Sequence, residues 1–169
     1  IFFCSSGLEA VETAIKFMRK AQYENGFKNR RYIISFNGGF HGRSLACLAI
    51  GGNDYARRGF FPPQEGFLQI GKNNQEIDEA LAKIGPENIA GFIIEPIQAE
   101  GGIYEVSPNL LQYLREICNQ HKIFLCFDEV QCGMGRTGHL FHHQKIGIVP
   151  DILTSAKSIG GGLPLAAVL

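Results

Sequence analysis

The chain has 169 residues, 45% of them hydrophobic, and its 16 basic and 16 acidic side chains give a formal net charge of zero. That length suffices for one domain with a sizeable buried core, and the charge balance offers no broad field to attract nucleic acid or an anionic membrane surface, which leaves small molecules as the expected partners. No apolar run approaches the roughly 20 residues of a membrane helix and no basic stretch introduces a signal sequence, while five scattered cysteines without C-x-x-C spacing argue against a disulfide framework or zinc site and for a reducing cytoplasm.

Short apolar runs alternate with helical patterns, which predicts an α/β fold with a mainly parallel sheet and helices on both faces. The first strand is expected over Ile1 to Cys4 and runs into Ser6-Gly7-Leu8-Glu9, an S-x-x-E capping box. Leu8, Val11, Ile15 and Met18 follow at helical spacing, and that helix should end near Asn25-Gly26. Strands follow at Tyr32 to Phe36 and Phe67 to Ile70, then a weaker helix over about Gln75 to Ile84 on the spacing of Ile77, Leu81 and Ile84. A strand over Gly91 to Glu95 precedes a helix beginning at Ser107-Pro108, an N-cap with proline at the first helical position, which buries Leu110, Leu111, Leu114, Ile117 and Cys118. Ile123 to Phe127, Ile152 to Thr154 and Leu165 to Val168 complete the strands. The chain opens on Ile1-Phe2-Phe3 without an initiator Met and stops on Ala166-Ala167-Val168-Leu169, both apolar like buried strands, so a segment of a longer protein is expected.

Open sheets of this kind bind ligands beyond the carboxyl ends of their strands, so the residues just past each strand are the ones to weigh for chemistry. Past the first strand, Ser6, Gly7 and Leu8 start a helix whose free backbone N–H groups and positive dipole end would accept a phosphate; an ordinary helix cap is the plainer reading. Past the second, Asn37-Gly38-Gly39-Phe40-His41-Gly42-Arg43 sets an aromatic ring, an imidazole and a guanidinium among glycines. Phe40 could stack on a planar ring and Arg43 could clamp a carboxylate, or the two could be a core residue and a solvated charge. Glu95 continues an apolar strand that Pro96 ends, so it should be partly buried and in need of a partner, structural or chemical; Glu100 lies in a glycine-flanked loop and can face a cleft.

The apolar run Ile123-Phe124-Leu125-Cys126-Phe127 leads straight into Asp128, and a carboxylate there is costly to bury unless it meets a cation. A protonated pyridine nitrogen would be one, and the pairing would let the ring act as an electron sink; a bond to a neighbouring loop is the alternative. Lys157 stands between an apolar strand and the turn Gly160-Gly161-Gly162, where it can shed solvation and favour imine formation with an aldehyde. Taken alone it reads equally as an exposed loop lysine. Gly133-Met134-Gly135-Arg136-Thr137-Gly138 satisfies G-x-G-x-x-G and raises a dinucleotide-binding oxidoreductase as an alternative. The motif neither adjoins a strand nor opens an amphipathic helix, and the next acid, Asp151, comes too early for a ribose contact, so a mobile loop is expected there. His142 and His143 are adjacent and lack a surrounding ligand cluster, so no metal is expected.

The strings SSGLEAVETAIK, FHGRS, IIEPIQAEGG, FDEVQCGMGRTGHLF and PDILTSAKSIGGGLP resemble the cofactor domain of class-III aminotransferases, of the pyridoxal-phosphate fold type I, over essentially the whole chain. The resemblance implies a partial large domain, residues 1–169, in which Lys157 is the Schiff-base lysine and proton shuttle and Asp128 pairs with the pyridine nitrogen of pyridoxal 5'-phosphate. Gln131 would approach the ring's phenolic oxygen, Val130 and Phe40 would cover its two faces, and the backbone of Gly7 and Leu8 would hold the phosphate. Arg43 would bind a substrate carboxylate. Glu100 resembles an acid that pairs with an arginine and moves when a dicarboxylate arrives, and Glu95 would support the cofactor from nearby.

Within the class, DEVQCGMGRTG and FHGRSLACLAIGG look most similar to the acetylornithine branch, which implies transfer of an ω-amino group from N-acetylornithine to 2-oxoglutarate in arginine biosynthesis. Ornithine, succinyldiaminopimelate and 4-aminobutyrate are alternative donors, and a non-catalytic remnant is the alternative outside enzymology. The resemblance further implies a homodimer, and missing terminal segments that would leave the isolated segment inactive. Two departures from the family pattern are Ser5-Ser6-Gly7-Leu8, where Asn-Ser-Gly and a smaller residue are usual, and Ala99 where glycine is usual.

Overall fold

The computed structural model describes residues 1–60 and 65–169. The chain begins with β1 (Phe2–Cys4) and α1 (Gly7–Glu24), followed by β2 (Tyr32–Phe36), the short helices α2 (Leu45–Ile50) and α3 (Asp54–Arg57), and β3 (Phe67–Ile70). Next come α4 (Asn74–Ile84), β4 (Ile89–Ile94), a hairpin of β5 (Ile97–Gln98) and β6 (Tyr104–Glu105), and α5 (Pro108–His121). The remaining elements are β7 (Phe124–Asp128), α6 (His142–Ile146), β8 (Ile152–Ser155) and β9 (Ala166–Val168).

Seven strands form one sheet in the order β1-β9-β8-β7-β4-β2-β3. Every pairing from β8 across to β3 is parallel, while β9 runs antiparallel to both β8 and β1. Two reversals leave β1 pointing the same way as β8. Cys4, Phe36, Ile70, Ile94, Asp128 and Ser155 therefore all finish at one edge, and the loops that follow them converge there.

Side-chain alternation along each strand splits the core into two layers. Ile33, Ile93 and Cys126 point to the face covered by α1 and α2, where they meet Ala10, Val11, Ala14, Ile15 and Met18. Ile34, Phe36, Phe92, Leu125 and Phe127 point to the other face and pack on Ile77 and Leu81 of α4 and Leu110, Leu111 and Leu114 of α5. Each large side chain buried in this way contributes about 1.5–3 kcal/mol. Gly91 in β4 has no side chain because the Met18 thioether occupies the space where a Cβ would project.

The mainly parallel sheet with helices on both faces agrees with the sequence reading, and the differences have local causes. The capping box forms with one change: Ser6 accepts the Glu9 N–H at 3.2 Å, but the Glu9 carboxylate reaches back to the N–H of Ser5 at 2.7 Å. The Ser107 side chain makes no cap bond, so Pro108 alone marks the start of α5. β4 ends at Ile94, which leaves Glu95 just past the strand rather than in it. Helices α2, α3 and α6 were not foreseen, because each is too short to show helical periodicity. The segment expected to be a mobile loop is instead a series of linked turns, closed by Gly133 N–H to Glu129 O, Gly138 N–H to Gly135 O and Gly135 N–H to Leu140 O.

Candidate active site

A cavity of about 510 Å³ opens at the carboxyl edge of the sheet. Its floor is the start of α1, where Ser6 occupies the cap position and the N–H groups of Gly7 and Leu8 have no partner within the helix. Gly7 packs so closely that a Cβ there would fall 2.9 Å from Val130 Cγ1. One wall is Phe40 and Arg43 from the loop after β2; another is Val130 and Gln131 after β7; Lys157 stands at the rim after β8.

Asp128, 3% exposed, is the last residue of β7. Its Oδ1 accepts the Thr154 hydroxyl at 2.8 Å and the Val130 N–H at 3.2 Å. Thr154 reaches it because the two residues are register partners across β7 and β8. The other oxygen, Oδ2, lies 2.7 Å from Nδ1 of His41, which is itself 3% exposed. Burial pushes the His41 pKa down, but the hydrogen bond and charge of Asp128, with Glu95 behind, outweigh it and hold the imidazole above its ordinary value. With a proton on Nδ1, His41 donates to Oδ2 and fixes the carboxylate, and that oxygen keeps acceptor capacity for a further cationic N–H.

Glu95, 1% exposed, sits behind the Phe40 wall and does not line the cavity. Its Oε2 accepts the Phe40 N–H at 2.7 Å, while Oε1 is buried without a partner, as is Nε2 of Gln131. Burial raises its pKa to about 7; the charge of Asp128 adds to the rise, and the charge of His41 and the Phe40 N–H oppose it. The Cys47 thiol is likewise pushed up, to about 12, chiefly by burial, so it is a packing group rather than a nucleophile.

The structure brings Gly7, Leu8, Phe40, Arg43, Asp128, Val130, Gln131 and Lys157 around one cavity. Two expectations need correction. Lys157 is exposed, so the loss of solvation expected from its flanks is not present. Its backbone takes φ +56°, left-handed territory that costs a non-glycine residue about 1–2 kcal/mol, two residues beyond the end of β8. Glu100 is exposed at the tip of the β5–β6 hairpin and does not line the cavity, because the N–H groups of Gly102 and Ile103 both close back on the Ala99 carbonyl. The sequence reading assigned no role to His41 or Thr154. The signal for Thr154 was a hydroxyl inside an apolar strand; nothing local pointed His41 at an aspartate 87 positions away.

The donor set suits pyridoxal 5'-phosphate: a helix start whose Gly7 and Leu8 N–H groups stay free for the phosphate beside the Ser6 cap, a buried and oriented carboxylate for the ring nitrogen, an orphaned amide for a ring oxygen, and an amine at the rim. An α/β sheet with this array at its carboxyl edge defines a ligand-binding domain of the cofactor-enzyme type. The chain belongs to the class-III aminotransferases, whose family model, described as Aminotransferase class-III, matches residues 1–169. It is 46% identical to acetylornithine aminotransferase 1 of Bradyrhizobium diazoefficiens and 48% identical to acetylornithine aminotransferase of Mesorhizobium japonicum, over the full chain in both. It covers 41% and 42% of those proteins, so the chain spans about two fifths of their length. It also superposes on an amine transaminase of an uncultivated Pseudomonas species in its PLP-bound form, with a TM-score of 0.93 and 32% identity over 99% of this chain and 42% of that one.

Proposed function

We propose that this chain is the cofactor-binding part of a pyridoxal-phosphate-dependent aminotransferase that moves the ω-amino group of N-acetylornithine to 2-oxoglutarate, a step of arginine biosynthesis. The observation that carries the chemistry is the meeting of Asp128 and Lys157 on one cavity above the open start of α1. The donor follows from the acetylornithine aminotransferases at 46% and 48% identity.

When bound, the cofactor supplies an electron sink for the pair left on carbon as a proton departs. The N–H groups of Gly7 and Leu8 and the positive end of α1 hold its phosphate. Asp128 keeps the ring nitrogen protonated, and His41, Thr154 and the Val130 N–H prevent the carboxylate from turning away. Phe40 and Val130 would pack on the faces of the ring and Gln131 Nε2 would donate to its oxygen, while Glu95 supports the Phe40 wall through the Phe40 N–H. Lys157 Nζ would be the amine that holds the cofactor's aldehyde group and the base that carries a proton during transfer. Arg43 receives a substrate carboxylate with its paired donors. Glu100 serves the site only by moving or by pairing with a group from outside this chain.

The reading extends to a homodimer working in the cytoplasm on an amino donor and a 2-oxo acid. Five free cysteines fit a reducing compartment, and no helix of the described residues is long and apolar enough to cross a membrane. The test is a donor screen on the full-length protein with 2-oxoglutarate as acceptor. N-acetylornithine should be consumed fastest, with glutamate formed one for one, and Lys157→Ala should abolish the transfer. A preference for ornithine, succinyldiaminopimelate or 4-aminobutyrate would overturn the donor, and failure to take up pyridoxal phosphate would overturn the chemistry.

A further inference from the structure

Three loop ends meet at one buried amide outside the cavity. Gln98 of β5 is 1% exposed, and its Nε2 donates to the Asn37 carbonyl, just past β2, at 3.1 Å. Its Oε1 accepts from the ammonium of Lys72, just past β3. An ammonium has only donors and a carbonyl only lone pairs, so the amide can sit in one orientation alone. Lys72 is held in turn by the Tyr104 ring, whose centroid lies 4.6 Å from Nζ, and Tyr104 is the register partner of Gln98 across the β5–β6 hairpin. The neighbouring backbone is fitted to this amide: a Cβ at Gly38, whose φ is +83°, would fall 2.8 Å from Gln98 Oε1, and one at Gly101 would fall 2.6 Å from the Gly38 carbonyl.

The loop fastened at Asn37 reaches Phe40 through Gly38 and Gly39, which offer no side chain to fix it; backbone bonds tie Asn37 N–H to the Ile70 carbonyl, Gly39 N–H to the Phe36 carbonyl and Gly52 N–H to the Gly39 carbonyl, and Gln98 and Lys72 are the side chains that add to them. A buried amide is expensive unless both ends are satisfied, and an apolar side chain would fill the same space without that demand. We propose that Gln98 and Lys72 are positioning residues for Phe40, a clasp that sets where the aromatic wall stands across the cavity from Val130 and so how closely a flat ring is gripped. This rests on the reading of Phe40 as the cover of a cofactor ring. Glu95 holds the Phe40 N–H from one side, and the clasp holds the approach to it from the other.

The test uses the full-length protein freed of cofactor and titrated with pyridoxal 5'-phosphate. Lys72→Met and Gln98→Leu should each weaken uptake about ten-fold, the scale of one buried hydrogen bond, and should alter the circular dichroism of the bound chromophore. In a Phe40→Ala background the same substitutions should cost nothing further, because the residue they position is gone. Losses that add fully to that of Phe40→Ala, or wild-type uptake in both variants, would refute the clasp. If Gln98→Leu does not fold, Lys72→Met in the same cycle decides. Hydrogen exchange at the Phe40 amide in the cofactor-free protein reads the clasp independently: it should quicken in both variants, and unchanged exchange refutes the proposal. Quickened exchange in a protein that never takes up pyridoxal phosphate would support the clasp and sink the cofactor reading instead.

Discussion

Glu95→Gln should make the cofactor-free protein more stable at alkaline pH and leave the balance unchanged in acid. The native carboxyl titrates near 7 rather than 4.5, chiefly because it is buried, with one oxygen unpartnered and no ion pair among the described residues. At about 1.4 kcal/mol per factor of ten in proton affinity, that displacement amounts to about 3 kcal/mol. Below 4.5 both native and unfolded chains carry the proton and nothing is lost. Between 4.5 and about 7 the unfolded chain gives it up while the native one keeps it, so wild-type stability falls as pH rises, and above 7 the loss is complete. The glutamine isostere has no proton to lose and retains an acceptor for the Phe40 N–H. Urea unfolding of both proteins at about pH 4 and about pH 8 should show a gap in favour of glutamine that opens by about 3 kcal/mol on going alkaline. A gap that is flat with pH, or opens towards acid, refutes the assignment of a protonated Glu95.

Other perturbations probe the site directly. Lys157→Gly should be about 1 kcal/mol more stable than Lys157→Ala in thermal unfolding, since glycine relieves the left-handed φ of +56° and alanine does not; equal melting temperatures would deny that strain. Gly7→Ala should cost about 1–3 kcal/mol and weaken cofactor uptake, because the new methyl must displace the stiff Val130 side chain 2.9 Å away; wild-type unfolding and uptake would contradict the close approach. His41→Leu strips the donor from Asp128 Oδ2 and should lower stability by about 1–3 kcal/mol together with cofactor affinity, as urea unfolding and a pyridoxal phosphate titration would reveal. Uptake unaffected by that change would mean that Asp128 is oriented without the imidazole.

Where local pattern and tertiary demand coincide, the chain is readable. Tyr32 to Phe36 and Phe67 to Ile70 emerge as strands with the bounds expected from their apolar runs, and α1 starts where its capping box says it should. The cavity residues were accessible to the same logic, because parallel strands deliver their carboxyl ends to one edge; Asp128 is the last residue of such a strand, and Val130, Gln131 and Lys157 follow such ends. What escaped was set by contacts between distant segments. The imidazole of His41 acquires its role only when β2 and β7 bring it to Asp128. The exposed place of Glu100 comes from a hairpin too short to register as strands, and neither the exposure of Lys157 nor its left-handed φ is encoded in the flanking residue types.

Among the described residues β1 pairs with β9, Phe2 lying opposite Val168. A ribosome must therefore release nearly all of this segment before its first strand can dock, and such remote pairing is slow to close. The start of α1 hangs from that strand, and Asp128 is oriented by Thr154 of β8, so both parts of the site wait for the last strands to be made. On the proposed reading, a chain that takes up its cofactor has already closed this longest-range pairing.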